Sequence, residues 1–268
     1  MSELHDLREL PKCYRCGSGC QPCECMDRIT LYNADCRNVL PFIAPGSVDL
    51  VLTDPPYSSG GFTRSDRNGS TGIKYRLTGT TRSLPEFSGD NRDQRSLGIW
   101  CSYWMADVLQ VCREGAVLGT FIDWRNLPVM IDSCQVGGWV YRGILVWDKT
   151  EQAKPERGWF RSQAEYCVLA SAGPIARGVN AEGLCQPGVL RYRVNIQEKQ
   201  HTTEKPIELI RDIMQTRPDW ETVLDPFLGS GTTLRACKDL GRRGIGIEIE
   251  ERYCEIAARR LEQGVLFS

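Results

Sequence analysis

The 268-residue chain has almost no net charge, no apolar run near the roughly 20 residues needed to cross a bilayer, and no apolar core at its start. With 33 Lys and Arg against 34 Asp and Glu, the formal charge of −1 gives no global signature of a nucleic-acid binder. A polyanion would have to meet a local basic patch that is balanced by acid elsewhere. Met1 to Pro11 is charged and carries no signal-peptide core, so a cytoplasmic chain with reduced thiols and no membrane partner is expected. The length can bury a full core, as one domain with insertions or one domain plus a small appendage.

Cysteine is not scarce. There are thirteen, an odd number, which in a reducing compartment are expected to be buried small hydrophobes or metal ligands. Five fall between Cys13 and Cys25. Cys13-x2-Cys16 and Cys20-x2-Cys23 form two pairs whose spacing suits one tetrahedral structural zinc, with Gly17 and Gly19 easing the short turn between them. A metal-free, partly disordered leader is the competing reading of residues 1–26.

From Ile29 the pattern becomes periodic. Ile29 to Tyr32 is a short strand, and Asp35 to Ile43 a short helix that Asp35 can cap. Val48 to Leu52 is a buried strand. Strand, helix and strand in so few residues predict a parallel βαβ unit. The second strand ends in Asp54-Pro55-Pro56-Tyr57, where the prolines cannot continue a ladder. The four residues are therefore presented at the carboxyl end of a strand, where open α/β sheets bind ligands.

Further helices are predicted from Ser96 to Arg113 and around Pro128 to Val136, and strands at Ala116 to Ile122, Val140 to Trp147 and Glu165 to Leu169. A helix opens near Pro206. The second informative stretch is Thr222-Val223-Leu224-Asp225-Pro226-Phe227-Leu228-Gly229-Ser230-Gly231-Thr232-Thr233, an apolar strand, a glycine turn and the start of a helix. Seventeen residues after Gly231, Glu248 ends the next strand, where a carboxylate can accept both ribose hydroxyls of a nucleoside. Leu234 stands where a dinucleotide fingerprint needs its third glycine, and no Walker lysine is present. The loop therefore suits a nucleoside without a pyrophosphate.

Two segments carry an excess of basic residues. Residues 58–96 form a long basic loop that carries Arg64, Arg67, Lys74 and Arg76 and suits a segment ordering on a phosphate backbone. Residues 149–200 hold Lys154, Arg157 and Arg161 beside Trp159 and Phe160, a mixture that can pair phosphates and stack on bases.

Asp54-Pro55-Pro56-Tyr57 and Asp225-Pro226-Phe227-Leu228-Gly229-Ser230-Gly231 resemble the two signature motifs of the amino DNA methyltransferases, which methylate N6 of adenine or N4 of cytosine. Because the catalytic motif precedes the glycine motif, the chain resembles the circularly permuted β group of that family. The likeness covers roughly 27–57 and 201–262. It implies a Rossmann-like S-adenosylmethionine-dependent methyltransferase fold over 27–268, α/β with a mostly parallel doubly wound sheet. Residues 149–200 would read the target. The resemblance places Asp54, Pro55, Pro56 and Tyr57 in catalysis. It places the cofactor against Asp35, Cys36, Asp54, Lys205, Asp225, Phe227, Gly229, Ser230, Gly231, Thr232 and Glu248. Thr202 stands where the family usually has proline, and Cys13 to Cys25 match no family pattern.

The chemistry fits these residue types on physical grounds. An exocyclic amine shares its lone pair with the ring and is a poor nucleophile. Accepting its N–H bonds on Asp54 and the Pro55 carbonyl returns density to nitrogen, while Tyr57 can stack on the base. A base inside a duplex must first be flipped out. The expected function is N6 methylation of adenine in duplex DNA. Cytosine N4 is the nearest rival, followed by a structured RNA and by an inactive DNA-binding regulator. The resemblance also suggests a homodimer; no cognate restriction nuclease is identified.

Overall fold

The structure is a computed structural model that describes residues 12–17, 28–56, 92–153, 155, 157–175, 183–193 and 205–262. Among the described residues eight strands form one sheet: β1 (Ile29–Asn33), β2 (Val48–Thr53), β3 (Cys112–Ile122), β4 (Val140–Asp148), β5 (Ala164–Ser171), β6 (Val189–Arg191), β7 (Thr222–Asp225) and β8 (Arg243–Glu248). Their order is β1-β8-β7-β2-β3-β5-β4-β6. Every pairing is parallel except the two made by β5, which is antiparallel to both β3 and β4. The expected mostly parallel α/β sheet is thus the architecture observed.

Side chains that alternate along the strands separate two cores. Leu50 and Leu52 pack on one face with Leu209, Ile213, Leu234 and Ala257, which belong to α4 (Ile207–Gln215), α5 (Thr232–Asp239) and α6 (Glu251–Glu262). Val48 and Val51 pack on the other with Val39, Trp104 and Met130, from α1 (Cys36–Val39), α2 (Gln94–Leu109) and α3 (Leu127–Val136). Helices therefore cover both faces, which is why the central strands are apolar throughout. No described helix is long and apolar enough to cross a membrane.

Several boundaries differ from those read in the sequence, each for a local reason. The helix after β1 is α1 followed by a 3-10 turn over Leu40–Phe42, because Pro41 supplies no N–H; Asp35 caps it as expected. The helix expected from Ser96 begins at Gln94, since the Asp93 carboxylate accepts from the N–H groups of Arg95 and Ser96 at 3.0 Å each. β3 begins at Cys112 rather than Ala116: Arg113 Nε reaches Asp49 on β2 at 2.5 Å and its Nη2 reaches Asp219 at 2.9 Å. Those ion pairs hold a polar stretch in the sheet that an apolar pattern cannot reveal. β6 was not anticipated, having only three residues.

The strand order places the reactive end. From β2 the chain goes on to β3 on one side, and from β7 to β8 on the other, so the direction of winding reverses between β2 and β7. These two strands are hydrogen-bonded neighbours, with Leu50 opposite Val223 and Val51 opposite Leu224. A crevice opens at the carboxyl ends of such a pair, and both sequence motifs lead out of it.

Candidate active site

Asp54 follows β2 directly, with Pro55 buried behind it. Its Oδ2 accepts from Lys205 Nζ at 2.5 Å, and the same ammonium lies 3.4 Å from Glu165 Oε2. Lys149 Nζ holds the other Glu165 oxygen, Oε1, at 3.1 Å. The Lys205 side chain is only 4% exposed and lies 5.2 Å from the centroid of the Phe121 ring. Burial opposes its charge, but Asp54 and Glu165 outweigh burial and raise its pKa. Burial likewise opposes charge on Glu165, and Lys205 and Lys149 overcome it and lower its pKa. Lys205 and Glu165 are therefore both held in their charged forms, between Asp54 on one side and Lys149 on the other.

The topology explains this convergence. Because β5 runs against its neighbours, its first residues meet the carboxyl ends of β3 and β4, with Tyr166 opposite both Ile122 and Val146. Glu165 and Lys149 are thereby brought to the edge that bears Asp54. The sequence motifs assigned neither residue. The available signal was a lone carboxylate opening the apolar run Tyr166 to Ala170.

On the β7 side, Asp225 is buried and turned inward. Its Oδ1 accepts from Thr53 Oγ1 at 2.7 Å and from the Phe227 N–H at 3.1 Å. Burial pushes its pKa up to about 6, against the pull of Thr53, Thr233 and the Phe227 N–H. A carboxyl raised above its ordinary 3.8 stabilises the fold fully below that value and loses the contribution as pH rises through about 6. The loss is on the order of 3 kcal/mol at about 1.4 kcal/mol per pKa unit. Asp225→Asn keeps a carbonyl oxygen for both donors. Melting curves from pH 4 to 7 should therefore fall less steeply in the variant than in the wild type.

The two glycines of the loop do different things. Gly229 has φ +55°, and a Cβ there would meet nothing within 4 Å, so its backbone borders open space. At Gly231, φ is +90° and a Cβ would sit 2.7 Å from Ala257 Cβ on α6. Its role is close helix packing rather than ligand approach. Gly231→Ala is expected to destabilise the fold by about 2–4 kcal/mol, from overpacking and the left-handed backbone together, as measured by denaturant midpoint.

Glu248, 9% exposed, closes this side. Its Oε2 accepts the Gly229 N–H and its Oε1 the Glu250 N–H, each at 2.8 Å. A carboxylate has about four acceptor sites, so these two bonds leave it acceptor capacity toward the crevice. Burial raises its pKa despite those N–H bonds. Phe227, half-buried, is held by Trp100 and Trp104 at ring centroids of 5.2 and 5.1 Å. Asp35 caps α1 at the end of β1, the neighbour of β8, and Cys36 behind it is buried. Ser230 and Thr232 are buried, and Thr232 Oγ1 accepts from Arg260 at 3.1 Å. An open glycine backbone, a diol-accepting carboxylate and an aromatic wall fit the nucleoside half of S-adenosylmethionine.

Other expected residues divide. Tyr57, Arg64, Arg67, Lys74, Arg76, Lys154, Cys20 and Cys23 lie outside the described residues. Arg157 is exposed; Arg161 donates to the carbonyls of Glu151 and Ala153, which makes it a brace of its own loop. Beside it Trp159 and Phe160 are 72% and 82% exposed. Cys13 is buried in the core and Cys16 is exposed; among the described residues no group of three His, Cys, Asp or Glu could hold a metal.

The fold and crevice define a doubly wound α/β protein whose two sequence motifs meet at the carboxyl ends of β2 and β7. Comparison with known proteins narrows this. A DNA methylase family profile matches residues 185–259. "Putative methylase YubD" of Escherichia coli (strain K12) is 30% identical over 229 residues, 85% of this chain and 87% of that protein. Type II methyltransferase M.HinfI of Haemophilus influenzae is 25% identical over 259 residues, 87% of this chain and 68% of that one. Among solved structures, the M1.HpyAVI–SAM complex shares the fold at a TM-score of 0.60 and 22% identity, covering 87% of this chain and 100% of that one. The PvuII cytosine-N4-specific DNA methyltransferase does so at 0.63 and 17%, covering 90% and 88%. The chain belongs to the DNA methylase family.

Proposed function

We propose that the chain transfers a methyl group from S-adenosylmethionine to N6 of an adenine flipped out of duplex DNA. The observation that carries this is the tie between its two motifs. Thr53, the residue before Asp54, hydrogen-bonds Asp225, the residue that opens the glycine turn, across the paired strands β2 and β7. A reactive carboxylate and a nucleoside cradle therefore share one crevice.

In this reading Glu248 holds the ribose, the Gly229 backbone lies beside the cofactor, and Phe227 walls the adenine side. The cofactor supplies a methyl group on a sulfonium. Asp54 and the Pro55 carbonyl accept the two N–H bonds of the target amine, so its lone pair points outward to the methyl. The proton released after transfer passes to Asp54 or solvent. The remaining work of the protein is positioning. Tyr57, which follows Pro56, is assigned to stacking on the flipped base.

In the family that the chain resembles, Asp rather than Ser at position 54 leans toward adenine, while the same pocket geometry can serve cytosine. Similarity to M.HinfI and M.HpaI, both type II methyltransferases, supports a DNA substrate. The order of the motifs, with Asp54 before the glycine loop, supports the circularly permuted β group. The basic loop at 58–96 and the region at 149–200, with Trp159 and Phe160 exposed, are assigned to DNA. A homodimer would widen that surface for a chain of net charge −1. Zinc at Cys13, Cys16, Cys20 and Cys23 stays a separate proposal that metal analysis of the purified protein decides.

Mass spectrometry of nucleosides from duplex DNA and from RNA, each incubated with the chain and S-adenosylmethionine, tests the base. N6-methyladenine is the expected product. N4-methylcytosine would move the assignment to cytosine, and methylation confined to RNA would replace DNA as the substrate.

A further inference from the structure

We propose that Lys205 serves Asp54 rather than the cofactor, and that Glu165 and Lys149 are positioning residues that hold it there. The inference rests on the methyl-transfer reading above and assigns to that reaction two residues that neither motif contains.

Lys205 is the pivot. Its ammonium touches one oxygen of Asp54 at 2.5 Å and Glu165 at 3.4 Å, in a side chain 4% exposed. A buried ammonium has few ways to move, so the Asp54 oxygen it binds is fixed. Orientation matters because Asp54 must present an oxygen to an amine whose lone pair is aimed at the methyl. A misplacement of about 1 Å can cost roughly 100-fold in rate. Glu165 keeps Lys205 from being drawn wholly onto Asp54, and Lys149 at 3.1 Å on the far oxygen keeps Glu165 from turning. The row Asp54, Lys205, Glu165, Lys149 alternates two acids with two bases. The charges that act on Glu165 are those of Lys205 and Lys149, and those that act on Lys205 are those of Asp54 and Glu165.

The arrangement also sets how readily Asp54 accepts a hydrogen bond. An adjoining cation favours the carboxylate and weakens it as an acceptor; the second anion, Glu165, offsets part of that. Removing either neighbour should therefore disturb the reaction in opposite senses. With Lys205→Met, Asp54 loses its cation, and the acid limb of the kcat profile should move to higher pH. With Glu165→Gln, Lys205 acts on Asp54 alone, and the limb should move to lower pH.

The test is single-turnover methylation of duplex DNA from pH 5 to 9 by wild type, Lys205→Met and Glu165→Gln, with S-adenosylmethionine binding measured by calorimetry. Glu165→Gln is isosteric and guards against a Lys205→Met that fails to fold. The expected result is a fall in kcat of roughly 10- to 100-fold in each variant, limbs displaced in opposite directions, and cofactor Kd within threefold of wild type. Cofactor Kd weakened tenfold or more in Lys205→Met with an unmoved limb would return Lys205 to the cofactor and overturn the proposal. So would wild-type kcat in Glu165→Gln. A wild type that methylates no DNA overturns the parent reading and this proposal with it, and because it is assayed first, the two failures are told apart.

Discussion

Asp54→Asn is expected to lower the rate of methyl transfer roughly 100- to 10,000-fold, the range typical for loss of a positioned acceptor group. The substitution changes few atoms, yet it defeats both bonds that the carboxylate serves. One side of the group faces the Lys205 ammonium at 2.5 Å. An amide must turn its oxygen there, because its NH2 would otherwise confront a cation that is itself held by Glu165. The NH2 then faces the target amine, donor against donor, and the lone pair of that amine is no longer drawn out of the ring. Cofactor binding should stay within a few-fold, since Glu248, Gly229 and Phe227 are untouched. Single-turnover rates together with calorimetric titration separate the two effects. A loss under tenfold in rate would remove Asp54 from the chemistry.

The second large effect is expected at Glu248. Its two oxygens already accept the N–H groups of Gly229 and Glu250, and the acceptor capacity left to it is the proposed seat of the ribose hydroxyls. Glu248→Gln turns one acceptor into a donor that faces a backbone N–H, so the loop geometry and the diol contacts fail together. Charge-assisted hydrogen bonds are worth about 1.5–3 kcal/mol each, and about 1.4 kcal/mol is tenfold in affinity. Cofactor Kd should therefore weaken roughly 10- to 100-fold, while kcat at saturating cofactor changes little. Burial raises the Glu248 pKa, so in the wild type protonation begins at a higher pH than for an exposed glutamate. Affinity should consequently decline as pH falls through that raised value, and the variant should show a flatter profile. Calorimetry across the acid range checks both statements.

The two ends of the crevice were legible in the sequence because each is written locally. A strand, a carboxylate and two prolines are contiguous at Asp54, and strand, glycine loop and helix are contiguous at Gly229. Glu248 needed only one more strand. The glycine pattern could not distinguish Gly229, which borders open space, from Gly231, which makes room for Ala257 26 residues later in the chain. Nor could it show that Asp225 turns inward to Thr53, a pairing across 172 residues. The Lys205–Glu165–Lys149 row was invisible for a related reason. Periodicity reports that Glu165 opens a strand, but only the antiparallel direction of β5 brings that end to Asp54. Strand direction at β5 is set by tertiary pairing, on which the local pattern is silent.

Methyl transfer as proposed requires the carboxylate after β2 and the cradle of β7 and β8 to act on one molecule of cofactor. Incubating the chain with duplex DNA and S-adenosylmethionine bearing an isotopically labelled methyl group, then digesting the DNA to nucleosides, measures this directly. The prediction is label on N6 of adenine with the wild type and none with Asp54→Ala, although that variant still binds cofactor. Label on a base carbon, or label that persists in Asp54→Ala, would contradict it.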